Sequence, residues 1–193
     1  MPDPPTDEDR ERDPRLRHLS LATLSSEAQS LESLLAQTSP SSPDYGLVLV
    51  RLGHAYGALQ GAARQEGDPA VAAKAGRDAL DVYERFLREL PTHERVPEAL
   101  YFGGLEDERQ GRLDSARKRW FTLISLHPTH PLVPACYYAF GVLFRADAAN
   151  DPSKLALAQQ AFEAVVKYPD SPLFARARSW IESERARQQA AEP

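Results

Sequence analysis

His127 and His130 flank Pro128, and His93 stands 37 residues before His130. Imidazoles at this spacing are raw material for a metal site, because neutral imidazole is a common ligand of zinc and its neighbours. A convincing site needs three or four convergent ligands, and no carboxylate cluster stands near the pair in the chain. Prolines hold the pair in a turn, so the preferred reading is a connector, and no metal is expected. Cys136 is the single cysteine and follows His130 by six residues. A thiol activated by a nearby base can act as a nucleophile, but Cys136 occupies a small-residue position of a repeated pattern. It is expected to be a buried apolar residue. One cysteine allows no internal disulfide. The sequence carries no Gly-rich phosphate loop, no nucleophile elbow and no His-Glu-x-x-His. No enzymatic activity and no cofactor are expected.

Composition narrows the partner classes. The chain has 193 residues, a net charge of −5 and a hydrophobic fraction of 42%, enough for one domain with a sizeable core. Much of the negative charge lies in residues 1–13, where six acids face two arginines. That stretch has little to bury and is expected to be a disordered acidic tail. The remainder is close to neutral and offers no basic face for nucleic acid or for an anionic membrane. No stretch approaches the ~20 apolar residues of a membrane span. The first residues are acidic and proline-rich, the reverse of a signal peptide. The expected compartment is the cytoplasm; an export signal removed ahead of Met1 would make it the periplasm. Arginine dominates the 23 basic residues, a composition suggestive of a GC-rich bacterial genome.

The elements that would position these residues are helices. A short polar residue followed by proline recurs at Asp13-Pro14, Ser42-Pro43, Asp68-Pro69, Asp151-Pro152 and Ser171-Pro172. Asp or Ser at an N-cap accepts a hydrogen bond from an unpaired backbone N–H, and proline at the next position loses no bond by lacking its own. Val96-Pro97 and Val133-Pro134 repeat the proline half of this signal, and Gly111 with Asp114 marks a further stop and start. The spacing predicts eight helices over 14–37, 43–64, 69–90, 97–110, 114–127, 134–147, 152–168 and 172–188, each with apolar residues at helical intervals. The fold class is all-α.

Three connectors are near copies: "PTHERVPEAL" from Pro91, "PTHPLVPACY" from Pro128 and "PDSPLFARAR" from Pro169. A small residue lies eight positions after each first proline, at Ala99, Cys136 and Ala177. Gly53, Gly104 and Gly141 occupy similar places. Ala79, Ala116 and Ala158 each precede a large aromatic by four, at Tyr83, Trp120 and Phe162. The unit is helix, turn, helix, proline turn. Self-similarity at this period predicts a stacked array of helix pairs.

"LGHAY" (Leu52 to Tyr56), the Ala79/Tyr83 pair and Pro91 resemble the Leu-Gly-x-x-Tyr, Ala-x-x-x-Phe and closing Pro of the tetratricopeptide repeat family. The second copy keeps Gly104, Ala116, Trp120 and Pro128 but has Gly103 and Asp107 where the pattern wants Leu and Tyr. The third keeps Gly141, Phe144, Ala158 and Phe162, with a longer turn between its helices. Tyr168–Pro172 is similar to a phrase of bacterial envelope members, including outer-membrane assembly lipoproteins and the periplasmic coordinator of the Tol–Pal system. The resemblance implies a right-handed α-solenoid over 43–188, with repeats at about 44–91, 97–128 and 134–169 and a capping helix at 172–188. It implies a concave groove lined by Val50, His54, Tyr101, Leu105, Arg109, Tyr138, Val142, Arg145 and Arg176. Such a groove suits a peptide bearing a carboxylate, which arginine grips bidentately.

Residues 14–38 form the remaining segment. Leu21, Leu24, Ala28, Leu31 and Leu35 fall at a/d positions over barely two heptads. The loop that follows is short, which favours packing against the first repeat; pairing with another copy is the alternative. The expected function is a non-catalytic adaptor that binds a peptide segment of a protein partner. The alternative is an assembly or coordination component of a bacterial envelope complex, self-associating through residues 14–37.

Overall fold

A computed structural model describes residues 12–15 and 19–191. The described residues hold eight helices and no strand. They are α1 (Leu21–Gln37), α2 (Tyr45–Glu66), α3 (Pro69–Glu89), α4 (Val96–Arg109), α5 (Leu113–Leu126), α6 (Val133–Asp147), α7 (Lys154–Val165) and α8 (Phe174–Ala191). No helix among the described residues is long and apolar enough to cross a membrane. The chain divides into two compact units, residues 1–127 with α1–α5 and residues 128–193 with α6–α8.

Within the first unit, each helix packs on its successor in the chain, and α2 also meets α4. The large buried side chains include Leu24, Leu49, Tyr45, Tyr83, Phe86, Tyr101, Trp120 and Leu123. The second unit packs α6 on α7 and α7 on α8. Its core joins Tyr138, Ala158, Phe162, Val165, Leu173, Ala177 and Ile181, with Trp180 half-buried against it.

The aligned glycines and aromatics meet inside each helix pair. A Cβ added at Gly53 would lie 2.6 Å from the Tyr83 ring, and one at Gly141 would lie 2.6 Å from the Phe162 ring. Gly104 stands in the same relation to Trp120. The missing side chain on the first helix therefore creates the seat for the ring on the second. Trp120 fills its seat completely, and its indole Nε1 donates to the Tyr101 carbonyl at 3.1 Å, which satisfies the one polar atom of the ring.

The polar–proline signals work differently from expectation at most sites. Asp68-Pro69 is a full N-cap: Asp68 Oδ1 accepts from the Val71 N–H at 3.0 Å, and Pro69 opens α3. Ser42, Asp151 and Ser171 instead form a turn just ahead of the helix. Ser42 Oγ accepts from Asp44 N, Asp151 Oδ1 from Ser153 N, and Ser171 Oγ from Leu173 N, at 3.1–3.2 Å. Each backbone carbonyl also accepts from the residue three along. The same turn explains the histidines. His93 Nδ1 accepts from Arg95 N at 3.1 Å, and His130 Nδ1 from Leu132 N at 3.2 Å. An imidazole acceptor thus replaces the Ser or Asp oxygen in the repeated connector. Among the described residues, no group of three or more His, Cys, Asp or Glu is arranged to hold a metal. Cys136 is buried.

The N-terminal region departs from its sequence reading. Residues 1–11 of the expected tail and 16–18 of the expected first helix lie outside the described residues. Arg12 and Asp13, assigned to the tail, are buried instead. Pro14 and Arg15 lie in a turn, and Ser20 caps α1, accepting from Thr23 N at 3.2 Å. Leu24, Ala28 and Leu31 of α1 are buried, and α1 packs on α2 within the chain.

Candidate functional site

Phe102, Glu106 and Arg109 follow one another at intervals of four and three, so they share one face of α4. Together with Tyr83 of α3 and Gly57 of α2, they receive the segment Arg12–Arg15. Glu106 and Asp107 are unusual for their position. They follow the apolar run "LYFGGL" and lie inside the unit, where a carboxylate needs a cation beside it.

Arg15 is the centre of the arrangement, with its side chain only 2% exposed. It pairs bidentately with Asp13, Nε to Oδ1 at 2.7 Å and Nη2 to Oδ2 at 2.6 Å. Its Nη2 also reaches Glu106 Oε1 at 2.8 Å, and its Nη1 donates to the Tyr83 hydroxyl at 3.1 Å. Phe102 lies under the guanidinium, 4.6 Å from ring centre to Cζ. Gly57 leaves the space that the guanidinium fills, since a Cβ there would collide with it. Arg109 closes the circuit. It donates to Asp13 Oδ2 at 2.5 Å and to Glu106 Oε1 at 3.0 Å. Two cations and two anions thus form one neutral ring, drawn from residues more than ninety positions apart in the chain. Arg12 adds a flank. Its carbonyl accepts from the Tyr101 hydroxyl, and its Nη2 pairs with Glu108 at 2.7 Å.

The electrostatics follow from this geometry. Burial by itself would raise the Asp13 pKa, but Arg15 and Arg109 outweigh it and hold the acid far below its usual range. For Arg15, burial works against the charge, and Asp13, Tyr83 and Glu106 overcome it, so the guanidinium stays protonated. Burial raises the Tyr83 phenol and keeps it a neutral hydroxyl. Glu106 Oε2 is buried without a hydrogen-bond partner among the described residues. Behind this ring, Asp107 is held by Arg112 at 2.8 Å and Arg119 at 2.7 Å, one to each oxygen.

Of the nine residues expected to line a groove, five lie in the first unit and four in the second. Val50, Tyr101 and Leu105 are buried among the core residues rather than forming an open floor. Their helical positions face the neighbouring helices, and apolar side chains there are taken up by packing. Arg109 belongs to the charge ring. His54 is half-buried, edge-on to Phe102 with ring centres 4.6 Å apart. It lines a cavity of about 400 Å³ with Pro14, Arg15, Glu27, Arg51 and Phe102. In the second unit, Tyr138 is buried edge-on to Phe162 at 5.2 Å. Val142 is half-buried against the same core, Arg176 is half-buried, and Arg145 is exposed.

Sequence reasoning missed Asp13, Arg15, Tyr83, Phe102 and Glu106 as a set. The available signal was the pair Glu106-Asp107 inside an otherwise apolar helix, which asks for buried arginines. Nothing local to "RDPR" announces that it supplies one. Compared with known proteins, the chain matches no family model and no curated protein.

Proposed function

We propose that this protein is a non-catalytic interaction module of tetratricopeptide-repeat type, a right-handed stack of helix pairs whose first unit takes a short peptide segment of a partner protein. The observation that carries this reading is the seating of Arg12–Arg15. Side chains of α4 hold a short stretch of chain through ion pairs, a cation–π contact and a hydrogen bond to its backbone, and Tyr83 of α3 adds a further hydrogen bond. A surface built this way selects peptides with an acid and an arginine at the spacing of Asp13 and Arg15. The three aligned glycine–aromatic seats and the repeated connector turns support the repeat assignment. Self-association through residues 14–37 is disfavoured, because Leu24, Ala28 and Leu31 are already covered within the chain.

The test is binding in trans. In the full chain carrying Asp13→Ala and Arg15→Ala, the native segment loses its grip. A synthetic peptide of residues 5–20 is then titrated against this variant and against wild type, with helicity checked by circular dichroism. Saturable binding and a raised melting temperature are expected for the variant, and much weaker binding for wild type. A helical variant that does not bind the peptide would sink the peptide-site reading.

A further inference from the structure

A second feature of the first unit is separate from the charge ring. The Gly67–Asp68 turn ends α2, and Pro69, Ala72 and Ala73 at the start of α3 share a space with Gln60 and Arg64 of α2 and Arg109 of α4. The result is a cavity of about 720 Å³, within the range of small-molecule sites. Pro69, Ala72 and Ala73 make an apolar wall, and Arg64 and Arg77 line the same space.

The charges on its walls are unbalanced. Arg109 also lines the cavity, but its charge is answered by Asp13 and Glu106. Arg64 and Arg77 form no ion pair among the described residues. Arg64 donates only to the Arg109 carbonyl, at 3.5 Å. Asp68 is the one acid on the lining among the described residues; its Oδ1 is engaged in capping α3. Among the described lining residues, Arg64 and Arg77 stand against Asp68, a net single positive charge beside an apolar wall. Partial burial and then the neighbouring Arg109 disfavour the charged state of Arg64, and Glu106 offsets part of this. An incoming anion would offset the repulsion from Arg109 and give the half-buried guanidinium a counter-charge.

We propose that this cavity binds a small organic monocarboxylate with a short apolar tail, the carboxylate on Arg64 and Arg77 and the tail on Pro69, Ala72 and Ala73. The net charge of one favours a monoanion over a dianion such as phosphate. The apolar wall favours a ligand with hydrocarbon to bury. Nothing in this assignment depends on the peptide reading of residues 12–15.

The probe is hexanoate, with hexan-1-ol and inorganic phosphate as controls, observed by saturation-transfer NMR on the full chain. Arg64→Gln removes the inner cation from a half-buried side chain, and Ala73→Trp fills the cavity from an exposed position. Saturable hexanoate binding is expected in wild type, at least tenfold weaker in R64Q and lost in A73W, with hexan-1-ol at least tenfold weaker than hexanoate. No saturable binding to wild type would overturn the proposal. Equal binding by wild type and both variants would also overturn it. Phosphate binding as tight as hexanoate would overturn the ligand class, because the apolar wall would then contribute nothing.

Discussion

Arg15→Met gives the sharpest test of the buried ring. Methionine keeps much of the stem volume and removes the guanidinium. The ring then holds Asp13, Glu106 and Arg109, two anions against one cation, with Asp13 1% exposed and Glu106 fully buried. Removing one partner of a buried ion pair typically costs about 3–5 kcal/mol, because an uncompensated charge remains. Asp13→Ala should be costly for the mirror reason, leaving Arg15 and Arg109 to share Glu106. The double variant R15M/D13A is different. It leaves the i,i+3 pair of Glu106 and Arg109 at 3.0 Å, which is neutral. Its cost should fall short of the sum of the singles by about 2 kcal/mol, within the usual range for residues in one network. Urea unfolding measures this when followed through Trp120, which lies in the first unit; Trp180→Phe removes the other tryptophan. If R15M stayed within about 0.5 kcal/mol of the parent, as a surface substitution does, and the cycle were additive, the segment would not be seated in solution and the reasoning would fail.

Three further outcomes follow from the same structure. Gly104→Ala should destabilise the first unit by about 1–3 kcal/mol, since its new methyl meets the buried Trp120 ring, and thermal melts followed at Trp120 would register it. Asp13 has a depressed folded-state pKa, so its contribution should be complete above the ordinary Asp value of about 4 and be lost as the pH falls below it. Stability measured from pH 2 to 7 should therefore show a steeper acid limb in wild type than in Asp13→Asn. Cys136 is buried, and burial alone raises its thiol pKa; a thiol reagent should label it only at the rate of unfolding, and fast labelling in native buffer would contradict its placement.

The helical framework was legible because its signals are local. Apolar spacing located the eight helices to within a few residues in most cases. The aligned glycine and aromatic positions turned out to be mutual contacts, as at Gly53 and Tyr83 or Gly141 and Phe162. The connectors were recognisable as turns, although their mechanism was not. A histidine accepting a backbone N–H looks in sequence like a metal ligand, and only the direction of its Nδ1 distinguishes the two. The expected groove was less legible. Val50, Tyr101, Leu105 and Tyr138 have the types and spacing of a binding surface and of a core alike, and packing assigned them to the core.

Composition and periodicity by themselves determined that this chain is helical and where proline-marked turns separate its helices. These properties depend on residues within one or two turns of each other, so the local chain encodes them. Only the tertiary structure decided that residues 12 and 13, written like the end of a solvated tail, are buried. Their burial depends on Glu108 and Arg109, more than ninety positions away, meeting them as partners. A charge is tolerated in the interior only when its counter-charge arrives with it, and that pairing is a property of the folded chain.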